Sequence, residues 1–135
     1  ELPRPPPPGQ PRAQVAIRVR FGLPVFLKPR EPRPAPEIAG LSVEKGRLRV
    51  DVRNTGNVHV YAETVAVAAG GAFYAAERGW YVLAGATRGF PIALPPAACA
   101  PGKPMQVTVR GQGVDLSKEI ALAPADCAAL AAATR

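Results

Sequence analysis

From Val15 to Val25 the chain alternates without exception. Val15, Ile17, Val19, Phe21, Leu23 and Val25 are apolar, and Gln14, Ala16, Arg18, Arg20, Gly22 and Pro24 flank them. A helix cannot hold such a set on one face, because its side chains repeat every 3.6 residues; a strand can, because its repeat is two. The stretch therefore reads as one strand with a single apolar edge, running about 33 Å between its outermost apolar positions at about 3.3 Å per residue. Gly22 and Pro24 interrupt its second half, since proline has no amide to give a ladder and glycine permits a bend. The expected course is a kink there, with Val25-Phe26-Leu27 entering different packing surroundings. An apolar edge of this length must be completed by something. Either a domain N-terminal to this chain supplies the cover, or another molecule does.

The flanks of this strand have a different composition. Eleven of the 17 prolines fall within the first 36 residues. Residues 1–13 (ELPRPPPPGQPRA) cannot be helical, because proline lacks the amide donor and clashes with the preceding turn. Pro5 to Pro8 should be polyproline II, serving as a docking peptide or, the plainer reading, as a stiff loop between strands. Residues 14–28 are the strand itself. Residues 29–36, proline-rich and charged, contain no core candidates and read as a linker.

Residues 37–135 read as a β-sandwich. Turn signals recur about every 8–15 residues, a spacing typical of such folds. The expected strands are Ile38 to Val43, the alternating Leu48-Val50-Val52 segment, Val58 to Ala68, Ala72 to Ala75, Trp80 to Leu83, Thr87 to Leu94, Met105 to Arg110 and Glu119 to Leu122. Some of these are short, and the expected total is about seven. Asn54 to Asn57 and Gly70-Gly71 make turns. Trp80 is assigned as a core anchor, the commonest place for an indole in a sandwich. The tail from Asp126 to Arg135 is a short helix or a frayed end.

Charge and chemistry exclude several classes of function. The formal net charge is +7, but residues 1–36 carry +5 of it and residues 37–135 only +2. The basic excess sits on the arm, and aromatics do not interleave with it as nucleic-acid binding requires, so no nucleic-acid partner is expected. No run approaches the roughly 18 apolar residues of a membrane span, so no membrane insertion is expected. The chain opens Glu-Leu-Pro-Arg-Pro without a start methionine or a signal sequence, as in a mature form or a fragment. His59 is the only histidine, and packing or a hydrogen bond to the nearby turn accounts for it better than catalysis. Ser42 and Ser117 lie in no nucleophile motif, and the glycine pairs lack the Lys-Ser/Thr of a phosphate cradle. No enzyme, cofactor or metal is expected. Cys99 and Cys127, the only cysteines, are compatible with one disulfide worth on the order of 3 kcal/mol.

Three segments, in order, resemble the periplasmic chaperones of chaperone–usher pili, in particular the archaic and spore-coat-associated branch. They are Arg18-Val19-Arg20-Phe21-Gly22-Leu23-Pro24-Val25-Phe26-Leu27-Lys28-Pro29, Leu48 through His59, and Tyr81 through Arg88. Even Glu1-Leu2-Pro3 is similar to the end of that family's preceding strand. The resemblance implies an all-β, immunoglobulin-like sandwich at residues 37–135, preceded by the last strand of an N-terminal chaperone domain lying outside this chain. It also implies a role: Val15, Ile17, Val19 and Phe21 enter the groove of an incomplete pilus or coat subunit, which an outer-membrane usher then receives. Gly22, Leu23, Pro24, Val25 and Phe26 form the inter-domain hinge, and Arg18 and Arg20 face away from the groove. Pro24 stands where some branches place a lysine that anchors the subunit's carboxylate, so no such anchor is assigned. The same resemblance implies a periplasmic, oxidising location. An exposed strand of this kind is expected to promote dimerisation. The competing reading is an extracellular immunoglobulin-like structural or adhesive module with a flexible basic arm, which leaves the one-sided strand without a purpose.

Overall fold

Leu48, Val50 and Val52 point one way along a strand and Arg47, Arg49, Asp51 and Arg53 the other, so the segment can bury one face only. In the computed structural model, which describes residues 18–23 and 25–133, those three apolar side chains are fully buried. They belong to β2 (Arg47–Asn54), which pairs antiparallel with β1 (Pro36–Glu44) and with β6 (Thr87–Ile92). The second sheet is built on β3 (Val60–Ala69) and β7 (Pro104–Gln112), flanked by β4 (Ala72–Ala75) and β8 (Val114–Ala121). β5 (Trp80–Val82) pairs with the start of β3. The orders are β1-β2-β6 and β4-β3-β7-β8. The molecule is thus all-β, two antiparallel sheets with one short helix, α1 (Pro124–Ala132). Eight strands are present among the described residues, one for each of the eight segments expected, so the total of about seven is one too few.

Side-chain alternation sets the core. Val60, Ala62, Val65, Val67 and Ala69 of β3 are buried, and Met105, Val107 and Val109 of β7 face the same interior. The phase of β3 slips once, from even to odd positions, between Ala62 and Val65. The β3–β7 register shifts between Ala62 and Thr64, so the extra residue of the bulge is Glu63. Without that slip, half of β3 would turn its valines to solvent. Phe90 and Ile92 of β6, Leu94, Leu122 and Leu130 fill the rest of the interior. Each fully buried aliphatic side chain contributes about 1.5–3 kcal/mol by leaving water. Pro91 sits in β6, at the edge of its sheet, the position in a sheet that tolerates proline best.

The two ends of the sandwich are closed differently. At one end Gly70 and Gly71, both at positive φ (58° and 82°), make the two-residue turn joining β3 to β4. The same end carries α1, whose buried Cys127 is disulfide-bonded to Cys99, tying the helix to the segment before β7. The described part of the tail is thus helical through Ala132. α1 also packs against β1. Along one side, β1 lies beside β8, and Lys118 Nζ donates to the carbonyl of Ile38 across the gap (3.1 Å). The other end gathers the β2–β3 turn, the β5–β6 turn and the chain arriving from residue 18. No helix among the described residues is long and apolar enough to cross a membrane.

Candidate functional site

The arm enters at that second end. Val19, Phe21, Leu23, Val25 and Leu27 are 66%, 87%, 84%, 86% and 92% exposed. Residues 18–23 and 25–29 belong to no strand, and the intervening Arg18, Arg20 and Gly22 are exposed too. Along the described part of the expected strand no pairing is formed, and the apolar and intervening residues alike are exposed. Of the expected donor residues, Val19 and Phe21 are seen in this exposed state; Val15 and Ile17 lie outside the described residues. Of the expected hinge, Gly22, Leu23 and Val25 are exposed, and Pro24 lies outside the described residues.

Phe26 behaves differently from its neighbours. It is half-buried, with its ring stacked on His59 (centroids 4.0 Å, planes 25° apart) and tilted against Tyr81 (4.7 Å). Tyr81 in turn meets Tyr61 at 4.8 Å. The histidine is thus a packing residue of an aromatic cluster. Phe26 occupies an even position in a stretch whose other apolar residues are odd, and that break in phase is the signal the sequence offers.

Within the expected linker, residues 31–35 are fastened to the turn that follows β2. Arg33 N donates to Asn57 Oδ1 (2.7 Å), Asn57 N to Arg33 O (3.1 Å), and Asn57 Nδ2 to Glu31 O (3.0 Å). Thr55 N and its hydroxyl both donate to Ala35 O. The approach is so close that a Cβ on Gly56 would run into the carbonyl of Arg33. β1 begins at Pro36, the last residue of the expected linker.

Beneath this contact lies Asn54, a polar side chain with no exposure. Its Nδ2 donates to Val58 O (2.8 Å) and Val82 O (3.1 Å). Its Oδ1 accepts from Gly56 N (3.0 Å) and Ala35 N (3.4 Å). One amide therefore joins the end of β2, the following turn, β5 and the root of the arm. The sequence marks Asn54 as a turn former only. Nothing in a one-dimensional pattern distinguishes a turn asparagine whose side chain faces solvent from one that faces the core.

Trp80 is corrected by the structure. It is 50% exposed, with the Arg88 guanidinium 5.3 Å from its ring centroid, at the rim of a notch of about 320 Å³. β5 lies at the margin of its sheet, so an indole there covers a seam instead of filling the centre. Val82 takes the fully buried position expected of the tryptophan. Among the described residues no group of three or more His, Cys, Asp or Glu is placed to hold a metal ion.

Compared with protein-family models, curated proteins and solved structures, the chain has no match.

Proposed function

We propose that the chain is the strand-lending part of a periplasmic chaperone for pilus- or coat-type subunits, with an immunoglobulin-like sandwich as its body. The observation that carries this reading is the exposed apolar series Val19, Phe21, Leu23, Val25 and Leu27 on an arm rooted in a sandwich that already pairs its own strands. The immunoglobulin-like assignment is supported by strand order: β1-β2-β6 corresponds to strands A, B and E, and β3-β7-β8 to C, F and G. The disulfide favours an oxidising compartment.

The mechanism is strand addition. A subunit lacking one strand exposes an apolar groove between two edges. The arm's backbone pairs with those edges, and Val15, Ile17, Val19 and Phe21 enter the groove. Burying each of them contributes about 1.5–3 kcal/mol, set against the cost of ordering the arm. The usher then receives the capped subunit, and a neighbour's strand replaces this one. No step requires a nucleotide or a cofactor.

Copurification with an incomplete pilus-type subunit tests the reading. The double substitution Ile17→Asp and Val19→Asp should abolish capture while the thermal unfolding of the sandwich stays unchanged. Capture at the unsubstituted level would remove the donor-strand assignment.

A further inference from the structure

We infer that Phe26 is a positioning residue, a clamp that fixes the point and direction at which the lending arm leaves the sandwich. Its consequence for capture rests on the strand-lending reading; the clamp itself does not. Val25 and Leu27 on either side are 86% and 92% exposed, whereas the Phe26 ring is half-buried between His59 and Tyr81. Offset and tilted aromatic contacts at such distances are favourable beyond the area they bury.

The surface that receives the ring is itself held in place. Tyr81 lies in β5 opposite Tyr61 of β3, in register, and the two rings meet. His59 follows Val58, whose carbonyl is bonded to the buried Asn54 amide. A ring seated there is therefore referred to the sandwich core and not to a mobile loop. Without it, the nearest hydrogen bond holding the arm among the described residues is the one that the Glu31 carbonyl accepts from Asn57 Nδ2. The span from Val19 to the nearest fastening would then grow from seven residues, ending at Phe26, to twelve, ending at Glu31. A longer tether samples more orientations and presents the apolar edge to a groove less often in the required one.

The test uses the full chain and two readouts. By NMR, the unsubstituted protein should show contacts between the Phe26 ring and the His59 and Tyr81 rings, with the His59 ring protons shifted by the stacked phenyl. Phe26→Ala should abolish both and raise the backbone mobility of residues 18–23, while the amides of Asn54 and Val82 and the unfolding temperature stay in place. Phe26→Tyr should restore the contacts. In the capture assay, Phe26→Ala should slow association about tenfold, with Phe26→Tyr near the original rate. Absence of the ring contacts in the unsubstituted protein would overturn the clamp. So would an unchanged association rate in Phe26→Ala when Ile17→Asp with Val19→Asp abolishes capture. If the contacts are present but neither set of substitutions affects capture, the strand-lending reading fails, and with it the clamp's role in capture.

Discussion

β2 and the arm carry the same pattern and meet opposite fates. Leu48, Val50 and Val52 alternate with charged residues and are fully buried; Val19, Phe21, Leu23 and Val25 lie on an arm of arginine, glycine and proline and are largely exposed. The difference lies in what faces them. β2 has β1 and β6 on its two edges and the second sheet across its apolar face. The described part of the arm pairs with no strand, and its nearest fastening is a single aromatic ring. Alternation thus marks a face that a strand can bury, without fixing whether the same sandwich covers it.

The contrast is sharpest in paired substitutions of one residue type. Leu48→Ala should lower the unfolding free energy by about 2–5 kcal/mol, since it removes side-chain atoms from a closed core. Leu23→Ala should change it by less than about 0.5 kcal/mol, as expected of an exposed position. Chemical denaturation measures both, and comparable losses would mean that the arm packs into its own domain.

Asn54 gives a smaller and pH-dependent contrast at the point where β2 meets the arm's root. In Asn54→Asp, a buried oxygen replaces the Nδ2 that donates to Val58 O and Val82 O. The loss at neutral pH should be about 2–4 kcal/mol, from two broken donor bonds and a buried charge facing carbonyls. Burial raises the introduced carboxyl's folded-state pKa above the unfolded value of about 3.9. The variant should therefore be least impaired below about pH 4 and lose stability as the pH rises toward its folded-state pKa. Denaturation at a series of pH values reads the slope, and a deficit that shrinks with rising pH would contradict the buried hub.

Most strands are legible because apolar periodicity and turn residues agree with one another. Leu48-Val50-Val52 and Gly70-Gly71 are examples. Where the structure departs from expectation or adds to it, the deciding contact is remote in sequence. Trp80 is exposed because β5 falls at a sheet margin, and residues 31–35 are ordered because Asn57 lies beside them. Neither fact has a local signature. The candidate site divides in the same way: the apolar edge can be read from alternation, while its anchorage through Phe26, His59 and Tyr81 depends on three segments meeting.

Amide hydrogen exchange of the free chain, at a concentration where sedimentation shows monomer, tests the central claim most directly. The amides of Val19, Phe21 and Leu23 should exchange at unprotected rates while those of Val50 and Val52 are protected to the level of global unfolding. Adding a strand-deficient pilus-type subunit should protect the arm. Arm amides already protected in the monomer would contradict the account, because the edge would then be completed within its own molecule.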